Sequence, residues 1–437
     1  MKGVPIDSVC SLFLNRSISG SLKFHKQVPS SPARRSLPLS EPISVPFLSC
    51  GLPSRRSSLF RRKAIAKRNA GMSTRNSAGH VFITHPIHAD ARAILAAANL
   101  EADVVDAASA PLPLATIRER AARAAALIAF MPDTVDAAFL DACPLLRIVS
   151  GALRGGDNFD IAAMSERGIY FSRCGDLLTA PTAELAVSLA TSLARHVAEG
   201  DARVRSGSFA GWRPELFGAG LDGATVGIIG LGAVGRALAE RLRGFGVARF
   251  VWCDEDAGAA AWAAAAAEAW ACPAGRAPGA RPPPAFERVA DARAVLRAAD
   301  YAFPLTPLMP ATRHLVDAAA LAGAKRGAFL INVGRGGCVD EGAVADALAS
   351  GALAGYAADV FELEDWALAD RRRDIPAALL ADSARTLFTP HLGSAVVSVR
   401  REIDMTACEN VVDVLVRGVA PRGAVNAPLS VDRGTAT

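Results

Sequence analysis

The chain has 437 residues, 51% of them apolar and only 6% aromatic, enough material for two or three domains with large cores. Its net charge of +5 sits at one end: residues 1–75 hold 14 Lys+Arg and two acids, Asp7 and Glu41, leaving 34 Lys+Arg against 41 Asp+Glu elsewhere. The acidic body has no basic stripe, which excludes a nucleic-acid partner, and no apolar run reaches the ~18–20 residues that would predict a membrane span.

The N-terminal segment is rich in Ser, Arg and Pro, with runs such as Arg34-Arg35, Arg55-Arg56-Ser57-Ser58 and Arg61-Arg62-Lys63. Such a segment cannot bury enough apolar surface to offset its chain entropy. It reads as an organelle transit peptide, for plastid or mitochondrion, extending to residue 78. The plain alternatives are a disordered tail or an upstream reading frame joined in error. The eight cysteines (Cys10, Cys50, Cys143, Cys174, Cys253, Cys272, Cys338 and Cys408) form no CxxC pair and no metal-ligand spacing. They read as reduced, small apolar residues, and no metal is expected.

Periodic structure begins at His80. Residues 80–86 predict a strand, 89–98 and 114–125 predict helices, and further strands fall at 126–130, 147–152 and 169–173. This alternation implies parallel βαβ units. Residues 179–205 predict one long helix. A second series opens at Ala224, with strands at 224–230, 248–254, 300–305, 328–333, 355–360 and 386–389. Residues 258–284, Ala-rich and then Pro/Gly-rich, break the rhythm and read as a low-complexity surface insertion.

The stretch Thr225-Val-Gly-Ile-Ile-Gly-Leu-Gly-Ala-Val-Gly235 contains G-x-G-x-x-G at Gly230, Gly232 and Gly235. It follows an apolar strand and opens a helix, the context that a dinucleotide loop requires. Gly230 allows the turn, Gly232 lets the backbone approach a pyrophosphate, and Gly235 lets the helix pack on the sheet. The next strand ends at Asp254, whose carboxylate suits ribose hydroxyls and repels a 2′-phosphate. Glu255 and Asp256 add to that repulsion and no Arg follows closely, so NAD is the expected cofactor.

Three further strand ends carry chemistry. Asn332-Val-Gly-Arg335 places a cation where open parallel sheets bind ligands, and Arg335 can hold an oxyanion bidentately. Ala357-Ala-Asp-Val-Phe-Glu-Leu-Glu364 brings Asp359 and Glu364. Thr389-Pro-His391 brings an imidazole. A carboxylate beside an imidazole favours its protonated form and suits it to acid–base work near neutral pH.

Together these motifs resemble the D-2-hydroxyacid dehydrogenase family, over residues 80–428 apart from 258–284. The resemblance implies two Rossmann-like lobes, each an α/β doubly wound parallel sheet, with the active site in the cleft between them. The substrate lobe is expected at 79–178 and 390–428, and the cofactor lobe at 179–389. It implies that Arg335 orients substrate, that Glu364 pairs with His391, and that His391 transfers the proton. It assigns Leu178, Thr182, Ala233, Val234, Asp359 (to the nicotinamide amide) and Gly393 to the cofactor, Met131, Arg154 and Gly155 to the substrate, and residues 181–215 to a homodimer contact.

Within the family the chain is most similar to the phosphite (phosphonate) dehydrogenases. The similarity lies in Ala129-Phe-Met-Pro-Asp133, Asp176-Leu-Leu-Thr-Ala-Pro-Thr182, Glu362-Leu-Glu-Asp-Trp-Ala-Leu-Ala-Asp370 and Ser394-Ala-Val-Val-Ser-Val-Arg400. Arg400 matches a second active-site arginine of that group. Arg154 stands where those enzymes carry Lys, and Phe217 where they carry a pocket Tyr. The expected substrate is a small anion. Phosphite oxidation with NAD is the first expectation, with Arg335, Arg154 and Arg400 binding the dianion. The alternative is a 2-ketoacid reductase acting on glyoxylate or hydroxypyruvate, and a third reading is a dinucleotide-sensing scaffold like the family's corepressors.

Overall fold

The computed structural model describes residues 79–271 and 282–428. The leader expected over residues 1–78 lies outside the described residues.

Two parallel sheets organise the body. The first joins β1 (His80–Ile83), β2 (Glu101–Val104), β3 (Ala126–Ala129), β4 (Ile148–Gly151) and β5 (Tyr170–Ser172) in the order β2-β1-β3-β4-β5. Its central strands are covered on both faces, so they read as continuous apolar runs: Val81, Phe82 and Ile83 in β1, and all of β3, are fully buried. Strand β2 escaped the sequence reading because it is an edge strand, Glu-Ala-Asp-Val, with charges where a central strand would be apolar.

The second sheet joins β6 (Thr225–Ile229), β7 (Arg249–Cys253), β8 (Ala285–Arg288), β9 (Tyr301–Pro304), β10 (Ala328–Asn332), β11 (Leu353–Ala358) and β12 (Thr386–Phe388). Its order is β12-β11-β10-β9-β6-β7-β8. In both sheets the chain runs outward one way and then returns to build the other side. The reversal falls between β1 and β3 in the first sheet, and between β6 and β9 in the second. Ligand crevices open at such points, beyond the carboxyl ends of the strands.

The C-terminal helix Val397–Val412 returns to the first sheet. Ile403, Ala407, Cys408 and Val411 join Val81, Ile83, Ile128 and Ile148 in one core. The Ser150 hydroxyl donates to Ala407 O at 3.0 Å, and Asn426 Oδ1 accepts from Phe171 N at 2.8 Å, which ties down the tail.

Two sequence expectations need correction. The long helix expected over 179–205 is two helices, Thr179–Ala194 and Val197–Arg205, broken at His196, which is left-handed with φ 52°. The stretch Gly175–Ala194 is long and apolar enough by composition to cross a membrane, although no continuous apolar run marks it. Here it buries Ala186, Leu189, Ala190 and Leu193 in the core of the second sheet.

The low-complexity insertion expected at 258–284 is, over its first half, the helix Ala257–Ala271 that crosses over from β7 to β8. Trp262 and Trp270 pack on Phe286, and Trp270 on Phe250, with ring centroids 5.1–6.1 Å apart. The Ala-rich composition concealed a core helix whose apolar area comes from two tryptophans. Residues 272–281 lie outside the described residues.

One buried acid props up the catalytic edge. Glu341 opens the helix Glu341–Ala349, and its Oε1 accepts from Glu362 N at 2.8 Å, which steadies the turn Glu362–Glu364. Among the described residues its Oε2 has no hydrogen-bond partner. Burial pushes its carboxyl from 4.5 up to about 7; the charges of Glu362 and Asp365 add to this, while the Glu362 N–H opposes it. The folded chain therefore holds this proton more tightly than the unfolded chain. The associated stability is fully present below about pH 4.5 and is lost as pH rises through about 7. Glu341→Gln mimics the protonated form and keeps the acceptor oxygen. Its Tm should match wild type at pH 5 and exceed it by several degrees at pH 8. A wild-type Tm that is the higher at pH 8 would mean that the ionised carboxylate stabilises the turn.

Candidate active site

The carboxyl ends of the two sheets enclose a cleft of about 790 Å³. The second sheet contributes the loops after β6, β9, β10, β11 and β12, and the first contributes those after β1, β3 and β4. Arg335, Glu364 and His391, far apart in sequence, all line it, as do Met131, Arg154, Gly155, Leu178, Thr182, Gly232, Ala233, Val234, Asp359, Gly393 and Arg400. Gly230, Gly235 and Asp254 are not among the residues that line it.

The His391 loop is built around Asp359. This buried carboxylate accepts from the Thr389 hydroxyl at 2.6 Å, Leu392 N at 2.6 Å and Gly393 N at 2.8 Å. The Asp359 carbonyl accepts His391 N at 2.9 Å. Burial pushes the Asp359 carboxyl up, and the donors and the His391 charge pull it back. The chain wraps so tightly that His391 takes the left-handed conformation, φ 56°, rare for a residue with a side chain. Three of a carboxylate's roughly four acceptor sites are used. The contact expected between Asp359 and the nicotinamide amide is thus narrowed to one remaining site.

His391 Nδ1 lies 2.7 Å from Glu364 Oε2, and Glu364 Oε1 accepts Phe361 N at 2.9 Å. An ionised carboxylate only accepts, so the ring proton facing it sits on Nδ1 and Nε2 is left to exchange a proton with a ligand.

Arg335 follows β10. The Asn332 side chain donates to Arg335 O at 2.9 Å and accepts Gly334 N at 3.1 Å, which shapes the loop. Gly336 is required by close approach: a Cβ there would lie 1.9 Å from the carbonyl carbon of Phe361. That approach brings the Arg335 and Glu364 loops together. Arg335 Nε donates to Asp157 Oδ2 at 2.8 Å, and its Nη1 to Gly334 O at 2.8 Å. Nη2 lies over Gly155, where a Cβ would come within 2.2 Å. Gly155 therefore makes room for the guanidinium.

The other two expected cations are also partnered. Arg154 Nη1 donates to the Thr179 hydroxyl at 2.5 Å, and its Nη2 lies 3.6 Å from Asp176 Oδ1. Burial lowers the Arg154 pKa; Arg173 and Arg335 add to this and Asp176 opposes it. Arg400 reaches the Ser394 hydroxyl at 3.5 Å and Asp404 Oδ1 at 3.9 Å.

The dinucleotide half fits its ligand. Gly230 turns the chain at φ 96°. A Cβ on Gly235 would strike Gly230 O at 2.5 Å, whereas one on Gly232 would meet no protein atom within 4 Å. The open side of Gly232 is the cleft, at the N-terminus of the helix Ala233–Leu242, where a pyrophosphate is stabilised. Asp254 follows β7, and one carboxylate oxygen accepts Asp256 N at 2.8 Å. No arginine follows Asp254 closely in sequence, but the fold brings two near its turn. Arg288, at the end of β8, donates to Asp254 O at 2.9 Å, and Arg236 lies 3.7 Å from Asp256 Oδ2.

Sequence reading missed Asp157, Arg173 and His85, all of which line the cleft. Asp157 stood in the Arg154-Gly-Gly-Asp157 stretch, where an acid beside an anion loop was the available signal. Two residues tied to the phosphite resemblance do not line it. Trp366 is covered by the Arg371 guanidinium, 4.6 Å away, and Phe217 is 79% exposed on the surface.

Comparison with known proteins agrees with the site. Residues 187–270 and 278–393 match the model of the D-isomer specific 2-hydroxyacid dehydrogenase NAD-binding domain. The chain is 31% identical over 323 residues to the glyoxylate reductase of Thermococcus litoralis, covering 72% of this chain and 87% of that one. It is 33% identical over 336 residues to the human glyoxylate reductase/hydroxypyruvate reductase, covering 76% and 93%. A solved NADPH-dependent glyoxylate/hydroxypyruvate reductase of Sinorhizobium meliloti, in complex with NADP and malonate, shares the fold with a TM-score of 0.62. Its identity is 26%, and the match covers 80% of this chain and 97% of that one. With a dinucleotide loop, a His–Glu pair and an anion-binding arginine in one cleft, the chain belongs to the D-isomer specific 2-hydroxyacid dehydrogenase family and is an NAD-dependent dehydrogenase.

Proposed function

We propose that this dehydrogenase reduces small 2-keto acids of the glyoxylate and hydroxypyruvate type to 2-hydroxy acids. The observation that carries this reading is the Arg335–Asp157 ion pair beside the His391–Glu364 pair. An arginine whose Nε is already held by a carboxylate keeps one edge for a single carboxylate of a monoanion. The phosphite reading rests on the Trp366 and Arg400 motif matches and on three cations meeting a dianion. Arg335, Arg154 and Arg400 each have an acidic neighbour, and Trp366 and Phe217 stand off the cleft. The names of the relatives support the keto-acid alternative as well.

Bound NADH supplies the hydride, and the rest of the reaction falls to side chains. Arg335 Nη2 holds the substrate carboxylate and so sets which face of the carbonyl is presented. His391, protonated, donates from Nε2 to the carbonyl oxygen as the carbon accepts the hydride. Glu364 fixes the ring through Nδ1 and stabilises its positive charge before transfer. The product is the hydroxy acid with a neutral His391, which regains a proton from solvent. The same steps run backwards for oxidation.

A homodimer is part of the proposal. Val197, Val204, Phe209, Trp212 and Phe217, between 54% and 79% exposed, form the apolar surface of the 197–217 segment, which a second copy would cover.

The full-length protein should reduce glyoxylate or hydroxypyruvate with a kcat/KM well above that for phosphite oxidation. The reverse order would restore the phosphite reading. His391→Ala should cost about 10²–10⁴-fold in kcat and leave NADH affinity intact, because the glycine loop holds the dinucleotide separately. Near-normal turnover would remove His391 from the chemistry. The mass in solution should be that of a dimer, and a monomer would leave the 197–217 surface without this role.

A further inference from the structure

The cleft holds a second imidazole that the hydride-transfer chemistry does not use. His85 follows β1 and Phe130 follows β3, the strands that flank the order reversal of the first sheet. Both residues line the cleft with His391 and Arg335. The rings of His85 and Phe130 lie 4.9 Å apart, and the Arg400 guanidinium stands 5.8 Å from the Phe130 ring. Imidazole and guanidinium thus share one wall.

The residues behind His85 settle its proton. Buried Asp133 uses one oxygen, Oδ2, to accept both Phe130 N at 2.7 Å and the Thr84 hydroxyl at 2.5 Å. Burial pushes the Asp133 carboxyl up, while these two donors and the His85 charge pull it back, and an oxygen that takes both donors carries no proton of its own. Thr84 has a single hydroxyl proton, and the competing carbonyl of Ile128 is 3.5 Å away. Thr84 therefore offers only a lone pair to His85 Nδ1 at 3.1 Å, and Nδ1 must carry the ring hydrogen. Burial holds the imidazole below the ordinary histidine range; the Asp133 charge opposes this and the Arg400 charge adds to it. In the neutral ring Nε2 is then a bare acceptor. Among the described residues it has no protein partner.

We propose that His85 determines specificity: its Nε2 accepts a hydrogen bond from a hydroxyl on carbon 3 of the keto acid, while Arg400 donates to that hydroxyl's oxygen. The assignment rests on the keto-acid reading of the site. A hydroxyl is donor and acceptor at once, and this wall supplies one of each. A methyl group in the same place would cover Nε2 without pairing it, and a site built to bond a hydroxyl rejects the analogue that lacks it.

The test compares hydroxypyruvate with pyruvate, which differ by that hydroxyl alone. With NADH, the full-length wild type should favour hydroxypyruvate by about 10–100-fold in kcat/KM. His85→Phe, which keeps a ring but no acceptor, should bring the ratio towards one, mostly through the KM for hydroxypyruvate. His85→Gln, whose amide oxygen can accept, should restore part of it. A ratio unchanged between wild type and His85→Phe, with both keto acids reduced, overturns the assignment and leaves the keto-acid reading standing. A wild type that reduces neither these acids nor glyoxylate overturns both.

Discussion

A carboxylate buried beneath a loop organises this active site. Asp359 ends β11 under the turn that follows β12, and three donors from that turn converge on it. Desolvating a carboxylate is costly unless hydrogen bonds replace water. The turn therefore has one arrangement that satisfies the acid, and that arrangement forces His391 into a left-handed backbone. The imidazole is aimed by the need to satisfy a neighbouring charge, and Glu364 then takes up the nitrogen that faces it. Backbone strain of this kind, of order 1–3 kcal/mol, persists where the surroundings over-determine it.

The same constraint operates along the whole edge. Asp365, pushed up to about 6 chiefly by burial, accepts Gly337 N at 2.7 Å and braces the Arg335 loop from behind. Glu341 braces the Glu364 turn in the same way. Each catalytic side chain thus stands on a loop whose backbone N–H groups end on a buried acid. The reacting groups can stay partly exposed because the rigidity comes from the largely buried acids beneath them.

Much of this was legible in the sequence where the signal is local. The G-x-G-x-x-G loop needs only its strand and its helix. Gly334 and Gly336 flank Arg335 because the loop must pass closely by Pro304 at the first and Phe361 at the second. Arg335, Glu364 and His391 each stand on the loop after an apolar strand, so parallel-sheet logic alone gathers them at one edge. The signals that failed are those set by tertiary partners. Strands β2 and β8 are polar edges with two apolar positions each. The Ala-rich helix looked featureless until Phe250 and Phe286 gave its tryptophans something to pack on. Arg288 reaches Asp254 from thirty-four residues downstream, a distance at which no spacing rule operates. Asp157 and His85 were hard to single out because a lone acid or histidine after a strand has many uses, and only its tertiary partners select one.

The pairing of the cations bears on what the cleft can bind. Counted from sequence, Arg335, Arg154 and Arg400 form a site for a multiply charged anion. In the fold, Asp157, Asp176 and Asp404 stand against them at 2.8, 3.6 and 3.9 Å. A ligand gains from a cation only what that cation's existing partners do not already supply, less the cost of desolvating both. Arg335, held edge-on by Asp157, keeps a directional donor for one carboxylate and contributes little diffuse attraction for a dianion. Arg400, at 3.9 Å from its acid and close to Ser394, is the most loosely held of the three, so it can turn towards a substrate at the least cost. It stands on the wall shared with His85 and Phe130, which the proposal assigns to the part of a keto acid beyond its carbonyl. In the proposed keto-acid reading the cation with the weakest partner is thus assigned to the part of the substrate that varies, and the most firmly held one to the carboxylate common to every 2-keto acid.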